Sequence, residues 1–362
     1  MTRRAALILS GGKARRFQTQ QQQWQDKALA EFEGKPLLVH AIQNVRDVVD
    51  EVVVCVNNEE RKVRYTELLR IQGLKAHIVV DEKTDISGPN VAIFTGLKAT
   101  QAEKCLIVPC DMPFVKPEVA DYLFTVSDGF EDVVPMWPNG RLETLIMVLQ
   151  RDIGLEIVET LCQLKRPRSD DIHRAASKTL LTSPMKTIKT LDPELKSFIN
   201  INAQEDLKKL QTRRLNGPVK DNIILNRGVI SVSDLQLMRD AAGMLKKGNL
   251  GMAQKTFDLC KSRFEFGSSF FWAGVAGEGK GEALLEEAKR LKVSDSKLSV
   301  ELDFEGKEAF FDAANYYRNE SEVYEKNSCL LLLERALTDK AWCESWFMSK
   351  TGQPHRYKLK TA

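Results

Sequence analysis

The chain has 362 residues, long enough for two or three domains at about 150 residues each. Hydrophobic residues make up 43%, charged residues 28%, and the net charge is +3. That balance is ordinary for a soluble globular protein and points to neither a nucleic-acid nor a membrane partner. No apolar run approaches the roughly 18 residues of a membrane span. The start, Met1-Thr2-Arg3-Arg4 before a short apolar run, is too short for a signal peptide. The seven cysteines are scattered without a CxxC pair, so a reducing cytoplasm is the expected compartment.

In chain order, Ala5–Leu9, Glu51–Val56, Ala76–Val80 and Cys105–Val108 read as short strands, mostly rich in β-branched residues. Helical patterns lie between them, among them Pro36–Val45 and Glu60–Leu69. Strand–helix alternation predicts βαβ units and a mostly parallel sheet. Ligands of such sheets sit beyond the carboxyl ends of the strands, so the loops after these strands are where chemistry is expected. Lys208–Asn222 is polar with a Gly-Pro pair. We set a linker at 213–222, dividing a first domain, 1–212, from a second, 223–362.

The second domain reads as mainly α-helical. Val232–Lys247, Met252–Phe264, Gly281–Leu291 and Phe310–Leu337 have helical spacing, whereas Val229–Val232 and Leu298–Phe304 look strand-like. Ala242 and Ala276 stand 34 residues apart, a tetratricopeptide-like period that decays after one unit. A partner-binding repeat and a plain helical bundle both remain open. Gly274–Gly281 (GVAGEGKG) nearly matches a P-loop, but Gly281 lacks the Mg²⁺-binding hydroxyl and Glu278 puts a negative charge into the cradle. We read it as a flexible loop before a helix at Glu282–Leu291.

The residues that carry chemistry fall in the first domain. Leu9-Ser10-Gly11-Gly12 follows a strand, and its glycines let backbone N–H groups approach a phosphate closely. Arg16 and Lys27 could neutralise phosphates further along; the structural alternative is a tight turn with solvated basic residues. Asp111, in Val108-Pro109-Cys110-Asp111-Met112-Pro113, stands at a strand end, where a carboxylate can hold Mg²⁺ against a triphosphate or simply open the Pro113 turn. Asp81 opens a loop leading to Gly88-Pro89 and could accept hydrogen bonds from a base or ribose, or act as a cap. Asn202 with Glu205 has the form of a capping box. Lys165-Arg166-Pro167-Arg168 could meet an acceptor phosphate, or be a solvated basic turn. The four histidines show no metal-ligand spacing.

Taken together, LSGGKARR, DKALAEFEGKPLLVH, Asp81 with Gly88-Pro89, VPCDMP and NINAQEDL resemble the molybdenum cofactor guanylyltransferase family over about residues 5–210. The resemblance implies a Rossmann-like nucleotidyltransferase fold and Mg²⁺-dependent transfer of GMP from GTP to molybdopterin, with loss of pyrophosphate. It implies that Leu9, Ser10, Gly11 and Gly12 line the nucleotide, that Lys27 contacts the triphosphate and Asp81 the nucleoside, and that Asp111 meets nucleotide and Mg²⁺. Asn200 and Asn202 would lie on the acceptor side. Arg16, Lys27 and Asp111 are then the catalytic set, by positioning and charge neutralisation.

The chain departs from the family in three places. Phe17-Gln18 follows Arg16 where the family has a glycine, and a glutamine-rich insertion, Gln18–Gln25, lengthens the path to Lys27. Cys55 replaces a polar nucleotide contact, and Ala92 a glycine. Two other functions stay open: a related transferase using CTP or another acceptor, and a nucleotide sensor or scaffold with a partner-binding helical domain.

Overall fold

A computed structural model of the chain describes residues 2–12, 26–202, 206, 217–291 and 296–348. It divides into two compact units, Met1–His173 with Lys178–Leu225, and Arg174–Ser177 with Asn226–Ala362.

The first unit is built on an eight-stranded sheet. Its strands are β1 (Arg4–Leu9), β4 (Glu51–Val56), β5 (His77–Val80), β6 (Lys104–Pro109), β7 (Asp132–Pro135), β8 (Met147–Gln150), β9 (Lys178–Thr182) and β10 (Ile223–Asn226), in the order β10-β9-β7-β8-β6-β1-β4-β5. Two further short strands, β2 (Glu31–Phe32) and β3 (Lys35–Pro36), pair as a hairpin. The sheet is mostly parallel, with β8 antiparallel to both β6 and β7. Seven helices accompany the strands: α1 (Leu37–Val45), α2 (Glu59–Ile71), α3 (Pro89–Ala99), α4 (Pro117–Thr125), α5 (Arg151–Gln163), α6 (Asp170–Ala175) and α7 (Lys189–Leu191).

Burial on both faces of the sheet explains why β1 is apolar from Ala5 to Leu9. Ala6 and Ile8 enter a core cluster with Leu38, Ile42, Val119 and Leu123 of α1 and α4. Leu7 points the other way, towards α3, where a Cβ at Gly96 would lie 3.0 Å from it and 2.9 Å from the Cys55 sulfur. The register places Leu9 beside Cys55 of β4 and Pro109 of β6, so the three central strands end level. Neighbours added on either side of β1 make its carboxyl end the switch point of the sheet.

The four expected strands lie within a residue or so of those found. Ile223–Asn226, which composition placed in the second domain, is the edge strand β10 of this sheet.

The second unit holds α8 (Val232–Lys246), α9 (Leu250–Phe266), α10 (Phe270–Leu291), α11 (Ser296–Lys326) and α12 (Leu330–Met348), each packed on the next. Three expectations are corrected here. Val229–Val232, read as strand-like, forms no strand, because Ser231 caps α8 and Val232 opens it. Leu298–Phe304, read as strand-like, lies inside α11, and Gly274–Gly281, read as a loop, is the middle of α10. The glycines there serve close approach rather than flexibility: a Cβ at Gly274 would sit 2.7 Å from the Tyr317 ring and one at Gly281 would sit 2.8 Å from Phe310. Glu278 is buried and accepts the Tyr317 hydroxyl proton at 2.5 Å. This closes the phosphate-loop reading of the segment.

Arg174 enters this unit from the earlier part of the chain. Its guanidinium donates to both oxygens of Glu320 at 2.8 Å and to Asp339 at 2.8 Å, and all three side chains are buried. Trp272 donates its indole N–H to the Ala175 carbonyl at 2.9 Å. Removing one partner of a buried ion pair strands the other. Arg174→Ala is therefore expected to cost about 3–5 kcal/mol, read as a drop in the urea midpoint of the full chain.

Candidate active site

Two groups of side chains gather at the carboxyl ends of β1, β4, β5 and β6. The first centres on Asp111, just past β6. Lys27 Nζ lies 2.7 Å from Asp111 Oδ2 and 3.4 Å from the Asn202 side-chain oxygen. Asp111 Oδ1 is buried with no partner among the described residues. The Asp111 carbonyl accepts the Ile201 N–H at 2.8 Å, which runs the Asn200-Ile201-Asn202 segment alongside. Ile199 and Ile201 flank Asn200 and pack against Leu37. The side-chain oxygen of Asn200 is likewise buried without a described partner.

The second group surrounds the glycines. A Cβ on Gly11 would lie 3.1 Å from Asp81 Oδ2 and 3.6 Å from the Asn57 Cβ. Asp81 is held by its N–H to the Val56 carbonyl at 2.7 Å, and its Oδ1 has no described partner. Burial pushes its carboxyl up to about 6, and the Arg61 charge acts in the opposite sense. Cys55 and Cys110 are buried beside the loop, and burial raises both thiols, Cys110 up to about 12. They stay protonated, so neither is an activated nucleophile.

Sequence reasoning missed what joins the groups. Arg61 and Tyr65 occupy one face of α2 at i and i+4, with Leu69 next in the row, and all three are buried. Arg61 donates from Nη1 to the Ser10 carbonyl at 2.7 Å, from Nη2 to the Gly12 carbonyl at 3.2 Å, and pairs through Nε with Asp26 Oδ2 at 3.1 Å. Tyr65 donates to the same Asp26 oxygen at 2.9 Å and lies 3.1 Å from the Ser10 hydroxyl. Asp26 Oδ1 accepts the Ala28 N–H at 3.2 Å and caps the turn Lys27–Leu29. The available signal was a charged residue in the apolar register of a helix.

Other expectations need adjusting. Arg16 and Gln18–Gln25 lie outside the described residues, as does Glu205 of the expected capping box. The carboxylate that receives the Asn202 N–H is Asp206, at 2.6 Å. The basic turn 165–168 is not a freely solvated one: Arg166 is buried against Asp171 at 3.3 Å, and Arg168 forks onto Asp170. Asn90 ties this turn to the Gly88 loop, donating to the carbonyls of Arg166 at 2.8 Å and Arg168 at 2.9 Å.

No group of three or more His, Cys, Asp or Glu side chains gathers for a metal among the described residues. Mg²⁺ needs less, since it is commonly held through one or two carboxylates plus substrate phosphates and water. The unpartnered Oδ1 of Asp111 fits that requirement.

The raised Asp81 carboxyl has a consequence for stability. Its neutral form is favoured in the fold, so the associated stabilisation is complete below the unfolded value near 3.8 and is lost as pH rises through about 6. Asp81→Asn keeps the neutral state at every pH. Its melting temperature is expected to exceed that of the unmodified protein at pH 7.5 and to converge with it at pH 4, by scanning calorimetry.

Residues 6–177 match the family model described as a MobA-like NTP transferase domain. A probable molybdenum cofactor guanylyltransferase from Methanosarcina acetivorans is 32% identical over 209 residues, 57% of this chain and 89% of the relative. Another protein of that description, from Methanosarcina mazei, is 30% identical over 57% of this chain and 89% of its own length. A solved structure of molybdopterin-guanine dinucleotide biosynthesis protein A from Archaeoglobus fulgidus aligns over 57% of this chain and 95% of its own. It has 21% identity and a TM-score of 0.47. With a glycine loop, a lysine and a strand-end aspartate meeting at the sheet's switch point, and relatives of this kind, the chain belongs to the molybdenum cofactor guanylyltransferase family and is a nucleotidyltransferase.

Proposed function

We propose that the first unit transfers GMP from GTP to a molybdopterin-type acceptor and releases pyrophosphate. One observation carries the chemistry: the Lys27 ammonium, 2.7 Å from Asp111, beside a second Asp111 oxygen that is buried without a partner among the described residues. The relatives' descriptions supply base and acceptor. When bound through Asp111, Mg²⁺ would neutralise part of the triphosphate charge.

The chain's own residues supply positioning and charge. An acceptor phosphate is already anionic at neutral pH, so no general base is needed for in-line attack on the α-phosphorus. Lys27 offsets the charge gathering on the departing pyrophosphate, and Arg16 joins it by its place in the motif. Gly11 and Gly12 let the backbone approach the nucleotide, with Leu9 and Ser10 behind them. An ionised Asp81 accepts the paired N–H donors that guanine presents; cytosine and adenine each offer an amino group next to an acceptor nitrogen instead. Asn200 and Asn202 face the acceptor.

GTP with Mg²⁺ is expected to raise the melting temperature more than CTP or ATP does. Equal or stronger protection by CTP in the same thermal-shift series moves the assignment to a cytidylyl transferase. Binding without pyrophosphate release, with molybdopterin supplied, favours a nucleotide sensor.

Asp111→Ala is expected to lower turnover by at least about a hundredfold, the scale of losing a group that stabilises transition-state charge, while far-UV circular dichroism stays unchanged. Pyrophosphate release within about tenfold of the unmodified enzyme would assign the metal to another residue.

A further inference from the structure

We propose that Arg61 is a positioning residue that clamps both stems of the nucleotide loop, at Ser10–Gly12 and at Asp26, and so delivers Lys27 to Asp111. This rests on the reading of that loop as the nucleotide site.

Among the described residues, one planar group reaches three oxygens of the two stems. The Arg61 guanidinium binds the Ser10 and Gly12 carbonyls on the entering stem and the Asp26 carboxylate on the returning stem. Both charged side chains are nearly sealed from water, at 6% and 2% exposure. Each is therefore costly to leave unpaired, and the clamp is strongly specified. Asp26 is next in sequence to Lys27 and caps its turn, so fixing Asp26 fixes the lysine.

The clamp also orients the loop backbone. In a trans peptide the C=O and N–H point in opposite directions. With the Ser10 carbonyl drawn to Arg61, the Gly11 N–H is turned away from α2. Tyr65 adds a link from the same helix face: its hydroxyl proton goes to Asp26, so the Ser10 hydroxyl donates to the Tyr65 oxygen.

Lysine cannot take over these tasks. Its ammonium carries the charge but not the rigid fork that reaches the acceptors of both stems from three nitrogens. Arg61→Lys thus separates a pairing role, which lysine satisfies, from a clamping role, which it does not. Nucleotide can still draw Lys27 back into place, so the loss should appear in binding and KM rather than in kcat.

The test uses the full chain. For Arg61→Lys we expect amide hydrogen exchange without nucleotide to quicken about tenfold at both Leu9–Gly12 and Asp26–Leu29. The KM for GTP should rise about tenfold, with kcat within about threefold. A lowered melting temperature with unchanged KM and unchanged exchange in these segments would reduce Arg61 to a structural residue and overturn the proposal. Tyr65→Phe covers the case in which Arg61→Lys does not fold. It leaves the guanidinium on the Ser10 and Gly12 carbonyls and is expected to quicken exchange more at Asp26–Leu29, where a donor to Asp26 is lost, than at Leu9–Gly12, where only the Ser10 side chain loses a partner. Equal loosening of both segments would contradict a clamp centred on Arg61. If the unmodified protein binds no nucleoside triphosphate, the functional reading fails, and the exchange data alone decide the clamp.

Discussion

A carboxylate shut away from water is tolerated only when donors surround it. Asp26 meets that demand with the Ala28 N–H, the Tyr65 hydroxyl and the Arg61 guanidinium. Much of the site depends on this cluster. It fixes where the chain returns from the stretch after Gly12, and it caps the turn that carries Lys27. Through Arg61 it also sets the direction of the Ser10 and Gly12 carbonyls. The resemblance to the family left one physical question, how a lysine behind an insertion could reach the phosphates. The proposed answer lies in the stems, because Arg61 of α2 contacts both, and Asp26 on the returning stem is next in sequence to Lys27.

The sheet provides the second constraint. β1, β4 and β6 end level, so the loops after them open at one height. Asp81 follows β5 and is tied to β4 through the Val56 carbonyl. Asp111 follows β6, divided between Lys27 on one oxygen and an open position on the other. A carboxylate so divided is prepared for a second cation, and the lysine beside it is prepared for an anion. In the proposed reaction, triphosphate with Mg²⁺ would satisfy both at once.

The helical unit shows how buried charge and small residues can imitate a motif. Glu278 sits among glycines because α10 packs closely on α11 and α9, where a Cβ at Gly279 would come within 2.5 Å of Phe257. Its charge is met by Tyr317 rather than by a ligand. The same unit absorbs Arg174–Ser177, so a tetrapeptide from the middle of the nucleotidyltransferase sequence contributes to its buried network.

What the sequence determined by itself was local. Runs such as EVVVCV and CLIV are strands because β-branched residues fit a sheet covered on both faces. A glycine pair straight after such a strand, and an aspartate straight after another, mark the site because residue and strand end are neighbours in the chain. What only the tertiary structure decided was everything that depends on partners far apart in sequence. The helical pattern at Glu60–Leu69 does not say what the Arg61 charge meets until the stems of another loop close on it. Leu298–Phe304 reads as a strand until α10 supplies a face for it as a helix. GVAGEGKG reads as a loop until Tyr317 and Phe310 fill the space its missing side chains leave. Residue pattern specifies local conformation, but a buried charge and a close helix contact are settled by the neighbour that meets them.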